Sequence, residues 1–244
     1  MKRARKFLWA TIALVALALV VIPLVLSGPS MQRPIAYPQP HGLPPVVNQT
    51  TEQLLARLQA VLETSAPLVA ASLQPGLSDA QISTLESQGG FQLCGDLRAL
   101  YRWHDGIGTK STVGLLAGQR LVPLEEVVRQ RALVGQQVAS GSGAEGAAFS
   151  AFAGHRKGWI QILDDGAGDG YFYDPKRADA EGSFFYHFAQ GDSYLWFPSF
   201  RNFLAGVIEC YESQSVRIAA DGKHLNEDFD RTQKIWERFA KSSE

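Results

Sequence analysis

The stretch that decides the fold runs from Gly158 to Tyr211. It opens Gly158-Trp159-Ile160-Gln161-Ile162-Leu163, turns through Asp164-Asp165-Gly166-Ala167-Gly168-Asp169-Gly170, and continues as Tyr171-Phe172-Tyr173 before Asp174-Pro175. Ser183-Phe184-Phe185-Tyr186-His187-Phe188 and Tyr194-Leu195-Trp196 follow, with Gly191-Asp192 between them. Short aromatic runs broken by Gly, Asp and Pro predict an antiparallel meander. From about Ser199, Phe200, Phe203, Leu204, Val207, Ile208 and Tyr211 recur at i, i+3, i+4, i+7, i+8 and i+11. That spacing predicts a helix with one apolar stripe laid on a core. The expected fold class is α+β: a central, mainly antiparallel sheet with helices packed on it. Tyr171 and Tyr173 are expected on one face of their strand and Phe172 on the other.

Upstream of this spine, Thr51–Thr64 reads as a helix capped by Thr50 or Thr51, with Leu54, Leu55, Leu58, Val61 and Leu62 on one face. Residues 66–73 are apolar and ambiguous. Ser78-Asp79-Ala80-Gln81 is a capping box that starts a second helix, and Gly89-Gly90 stops it. Asp96 is expected to cap a third, with Leu97, Leu100, Tyr101 and His104 inward and Gly106 at its end. Leu115–Val122 reads as a strand, and Pro123-Leu124-Glu125-Glu126 as a helix start with acids at its positive end. Residues 139–150 read as a flexible loop. Leu225–Phe239 reads as a final helix with Leu225, Phe229, Thr232, Trp236 and Phe239 on its face.

Pro75-Gly76-Leu77-Ser78, Ile82, Leu85-Glu86, Gly90, Leu93, Asp96-Leu97, Leu100-Tyr101 and His104-Asp105-Gly106 together resemble the opening signature of the Smi/Knr-like family, the SUKH superfamily. Trp159-Ile160, Gly168-Asp169-Gly170, Tyr173-Asp174-Pro175, Gly182, Trp196, Ser199-Phe200 and Phe203-Leu204 are similar to the rest of that pattern in the same order. The resemblance covers roughly residues 51–212. It departs from the pattern at Cys94-Gly95, where the family often has Pro, and in a long Gly/Ala-rich insertion at 140–150. It implies a protein-interaction module: immunity proteins that mask a cognate toxin in bacteria, cell-wall regulators in fungi.

The chain begins with a basic segment, Lys2, Arg3, Arg5 and Lys6, and then a run, Phe7–Leu26, with no charge and only Thr11 polar. Twenty residues of helix span ~30 Å, a bilayer's hydrocarbon core. The expectation is a single-pass membrane protein, tethered to the lipid bilayer through Phe7–Leu26. Its N-terminus would be cytoplasmic and its main domain extracytoplasmic, periplasmic in a Gram-negative host. The expected divisions are 1–27 anchor, 28–50 Pro-rich linker, 51–213 Smi/Knr-like domain and 214–244 C-terminal helix.

The chain has 244 residues, 45% hydrophobic and 19% charged, with a formal net charge of -1. Lys2, Arg3, Arg5, Lys6 and Arg33 are the only charges before Glu52; without them 18 basic residues face 24 acidic ones. An acidic balance excludes the basic face that nucleic acid requires. Cys94 and Cys210 lack metal-ligand spacing; they either pair in an oxidising compartment or stay as two buried thiols.

Catalytic patterns are missing. There is no Gly-x-Ser-x-Gly elbow, His-Glu-x-x-His, Walker loop or Cys-x-x-Cys, and the five histidines are scattered singly. An EF-hand loop starting at Asp165 fails at Ala167 and Lys176. No catalytic residue, metal or cofactor is therefore assigned. Between Asp164 and Asp192, seven acids face only Lys176 and Arg177, and Tyr and Trp are interleaved. Such a patch steers a basic protein partner, a toxin or an envelope protein, with aromatics as anchors. The expected protein-binding residues are Asp165, Asp169, Tyr171, Tyr173, Asp174, Glu181 and Trp196. The alternative is a cell-envelope enzyme or a small-ligand or metal binder using the acidic 164–174 loop.

Overall fold

The structure is a computed structural model and describes residues 47–140, 159–167, 169–174, 184–187 and 194–242. All of them belong to the compact unit Pro38–Glu244. In chain order the elements are α1 (Thr51–Ser65), α2 (Pro67–Ser72), β1 (Leu73–Pro75), α3 (Asp79–Gly89), α4 (Gly95–Trp103), β2 (His104–Ile107), β3 (Arg120–Leu121) and α5 (Leu124–Ser140). Then come β4 (Ile160–Asp164), β5 (Gly170–Tyr173), β6 (Phe184–His187), β7 (Tyr194–Phe197), α6 (Phe200–Glu212), β8 (Val216–Ile218), β9 (Leu225–Glu227), α7 (Phe229–Phe239) and β10 (Lys241–Ser242).

The meander is present. One antiparallel sheet has the order β10-β7-β6-β5-β4-β3. Tyr173, Phe184 and Phe197 lie opposite one another across three strands. Their face of the sheet meets α6: Phe203 lies 4.8 Å from Tyr171, 4.6 Å from Phe184 and 5.5 Å from Phe197, ring centre to ring centre. Trp236 of α7 stacks on Phe203 at 5.8 Å and 4°. Aromatic pairs at such spacings add to the burial term, itself ~1.5–3 kcal/mol for one such side chain. Phe172 pairs with Trp159 instead, at 5.8 Å. All three residues of Tyr171-Phe172-Tyr173 are buried, so β5 is covered on both faces.

The stripe on α6 is buried as its spacing predicts, and Ser199 caps the helix by accepting from the Asn202 N–H. Leu54, Leu55, Leu58 and Leu62 of α1 are buried, and α1 packs on α6. The predicted capping box of Ser78 with Gln81 exists, and Thr50, one of the two expected caps of α1, forms a second box with Gln53. Gly90 ends α3 at φ 64, a conformation that favours glycine.

Three elements depart from the sequence expectation. Cys94, not Asp96, is the N-cap of α4, because Thr51 Oγ1 donates to Asp96 Oδ1 at 2.5 Å and takes that carboxylate to α1. The 115–122 run is not one strand. Gly118 turns at φ 72, Leu116 bridges to Gln119, and only Arg120–Leu121 joins the sheet. The final helix starts at Phe229: Leu225–Glu227 pairs with Val216–Ile218, and Asp228 caps α7 through the Arg231 N–H. Phe229 is 59% exposed; Ile235 joins Thr232, Trp236 and Phe239 on the buried face.

The expectation of a single-pass membrane protein is corrected. Among the described residues no helix is long and apolar enough to cross a membrane. The longest, α5, has 17 residues and carries Glu125, Glu126, Arg129 and Arg131; at 1.5 Å per residue it spans ~26 Å, short of a bilayer core. The lipid-bilayer contact and the extracytoplasmic placement of the domain fall with that reading. The run 7–26, the linker as far as 46 and residues 141–150 of the loop expected over 139–150 lie outside the described residues; Ala139 and Ser140 belong to α5. Cys94 and Cys210 are free thiols.

Candidate protein-interaction surface

The β4–β5 turn is acidic and fixed by its own side chains. Asp164 Oδ1 accepts the Gly166 N–H at 2.6 Å, and Asp165 Oδ1 accepts those of Ala167 at 2.8 Å and Asp169 at 3.0 Å. The Asp165 N–H in turn donates to the Asp169 carbonyl at 3.3 Å. Aspartates at turn positions favour such bonds because the short side chain reaches the backbone two residues on. Asp165 is exposed; Asp169 and Asp174 are half-buried.

Asp164 anchors the turn to the domain. Arg120 reaches Asp164 Oδ2 at 3.0 Å, both Glu126 oxygens at 3.0 and 2.8 Å, and the Ile107 carbonyl at 3.2 Å. One guanidinium thus ties β2, β3, β4 and α5. The forked geometry suits arginine rather than lysine. The Arg120 hydrogen bond holds the Glu126 carboxyl below its usual value, and Glu126 holds the Arg120 guanidinium above its own.

The expected site residues do not all share this surface. Tyr171 is 5% exposed, inside the aromatic core. Tyr173 is 9% exposed and lines an open groove of about 580 Å³ with Glu86, Phe91, Leu93 and Cys94. Its hydroxyl is hydrogen-bonded to the Cys94 thiol, and burial, the larger cause, pushes its pKa up to about 12. Burial also raises the Cys94 thiol, the opposite of what a reactive cysteine needs. Trp196 lies in β7, paired in register with Phe185 and Lys241. Glu181 lies outside the described residues. The structure therefore brings Asp165 and Asp169 together at one turn, with Asp174 at the far end of β5.

Sequence reading quoted Glu86 only as part of a family pattern and gave it no role. It is 7% exposed, accepts the Leu93 N–H at 2.8 Å and takes Arg98 Nη1 at 2.5 Å. A buried carboxylate without such partners would be costly; this one pins the loop between α3 and α4. The local signal was its place four residues after Ile82, on the apolar side of the helix. Asp105 is a second, its Oδ1 accepting the Leu124 N–H at 2.8 Å where α5 begins.

Among the described residues no three His, Cys, Asp or Glu side chains are placed to hold a metal ion. His104 is engaged structurally, Nδ1 with the Gln74 carbonyl at 2.7 Å and Nε2 with Gln59 Oε1 at 3.1 Å.

No curated protein matches the chain. Residues 76–206 match the SMI1 / KNR4 family (SUKH-1). That segment runs from the turn before α3 to the middle of α6 and holds Glu86, Asp105, Arg120 and the acidic turn. Such membership is consistent with an immunity-protein-like or a cell-wall-related role and with protein partners in general. With more than half of its 244 residues matched, the chain belongs to the SMI1 / KNR4 family (SUKH-1).

Proposed function

We propose that the chain is a non-enzymatic protein-binding module that masks a basic face of a cognate toxin. The observation that carries this reading is the fixed acidic turn at Asp164–Asp169, where the Asp164 and Asp165 carboxylates bond the turn's own backbone. A turn already held in place loses little conformational freedom on binding. Its charge raises the association rate with a basic surface. Masking needs complementarity and no chemistry, so the turn, Asp174 and Glu181 supply charge, with Trp196 as aromatic anchor.

Co-expression with a toxin carried by a neighbouring gene tests it. The chain restores growth, and the D165K/D169K double variant does not while remaining folded by circular dichroism. A chain that never protects, or a double variant that protects fully, overturns the reading.

A further inference from the structure

One side of α3 carries no charge. Ala80, Gln81, Thr84, Leu85 and Gln88 repeat along one side of the helix, at the spacing that makes neighbours. The two acids of α3 are used elsewhere: Asp79 pairs with Arg102 at 2.7 Å and Glu86 with Arg98 at 2.5 Å. With Leu77, this uncharged strip walls an open groove of about 490 Å³.

Among the described residues, the charged side chains lining the groove are Asp105 and Glu125. Among the described residues neither forms an ion pair with a lysine or arginine. Among the described residues, the Leu124 N–H donates to the Asp105 carboxylate. Burial first and the nearby Glu125 charge second push the Asp105 carboxyl above its usual range. The positive end of α5 holds the two acids near each other, but a helix end supplies only partial charge.

We propose that this groove docks a segment of the partner protein presenting one lysine or arginine within an uncharged stretch, its cation seated between Asp105 and Glu125. The charge sign selects a cation. The uncharged wall from Ala80 to Gln88 selects its neighbours, since interface centres are depleted in charge. That wall is ~12 Å long at 1.5 Å per residue, room for about four residues of extended chain. The inference rests on the protein-binding reading and adds a contact distinct from the acidic turn.

The test uses the full chain, isotope-labelled and followed by amide NMR. The probes are a blocked pentapeptide, alanine-leucine-arginine-leucine-alanine, and the same peptide with glutamate in place of arginine. With the arginine peptide, amides of Leu77, Gln81, Leu85, Asp105 and Glu125 shift saturably in the millimolar range. Glu125→Lys weakens that binding roughly five- to tenfold, and Thr84→Arg, which fills the groove from the opposite wall, abolishes it. D165K/D169K leaves it unchanged. Absence of shifts at millimolar peptide, equal binding of the glutamate peptide, or full binding by both groove variants overturns the proposal. A toxin that binds through the acidic turn while the groove stays silent rejects the groove and keeps the protein-binding reading; a chain that binds neither rejects both.

Discussion

Glu86 is the residue on which the α3–α4 loop depends. It satisfies a buried backbone donor and a guanidinium at once. Glu86→Ala leaves both without their partner and is expected to cost about 2–4 kcal/mol, read as a lower urea midpoint. The thiols give a second check. Burial raises Cys94 and pushes Cys210 up to about 12, so alkylation by iodoacetamide at neutral pH should be slow at Cys94 and absent at Cys210 until the chain unfolds. A fast-reacting Cys94 would contradict the environment described. Glu126 sets a pH response. Its carboxyl lies lower in the folded chain than in the unfolded one because of Arg120. Its contribution is therefore full above the unfolded value, ~4.3, and is lost as pH falls below it. Glu126→Gln should lower the melting temperature at pH 7 and leave it nearly unchanged near pH 3. These residue-scale facts were the least legible in the sequence. The partner of Glu86 is a backbone N–H seven positions on, past a glycine turn, and Arg120 meets Asp164 across 44 positions. Neither spacing follows a helical or strand period.

Elements were more legible where period and punctuation agreed. The α6 stripe, the Ser78 capping box and the meander follow from spacing alone, because apolar period and cap chemistry are local. Expectation failed where a distant group competed. Thr51 took the Asp96 carboxylate from its cap position, and Asp228 began α7 after a short strand pair that read as its first turn. The junction of α6 and α7 is tight. A Cβ placed on Gly206 would lie 2.7 Å from the Trp236 ring. Gly206→Ala should cost about 1–3 kcal/mol by overpacking and red-shift tryptophan emission as that ring moves towards solvent. An unchanged midpoint and spectrum would mean that α7 is not seated on α6 as described.

At the scale of the whole molecule, the acidic candidate surface was half legible. Asp165 and Asp169 were visible as a charged turn; the structure exposes Asp165 and half-buries Asp169. Tyr171 and Tyr173 read as equally good contact residues because alternation along a strand does not say whether its second face is also covered. Here α6 covers one face and Trp159 meets Phe172 on the other. Among the described residues, carboxylates such as Glu86, Asp105 and Glu126 are held in structural bonds. The most direct measurement is isothermal titration of the full chain against the toxin from a neighbouring gene, at low and at high salt. The account predicts a one-to-one complex that weakens as salt screens the acidic turn and loses about tenfold or more in affinity in D165K/D169K. A complex insensitive to both salt and charge reversal, or no complex at all, would contradict it.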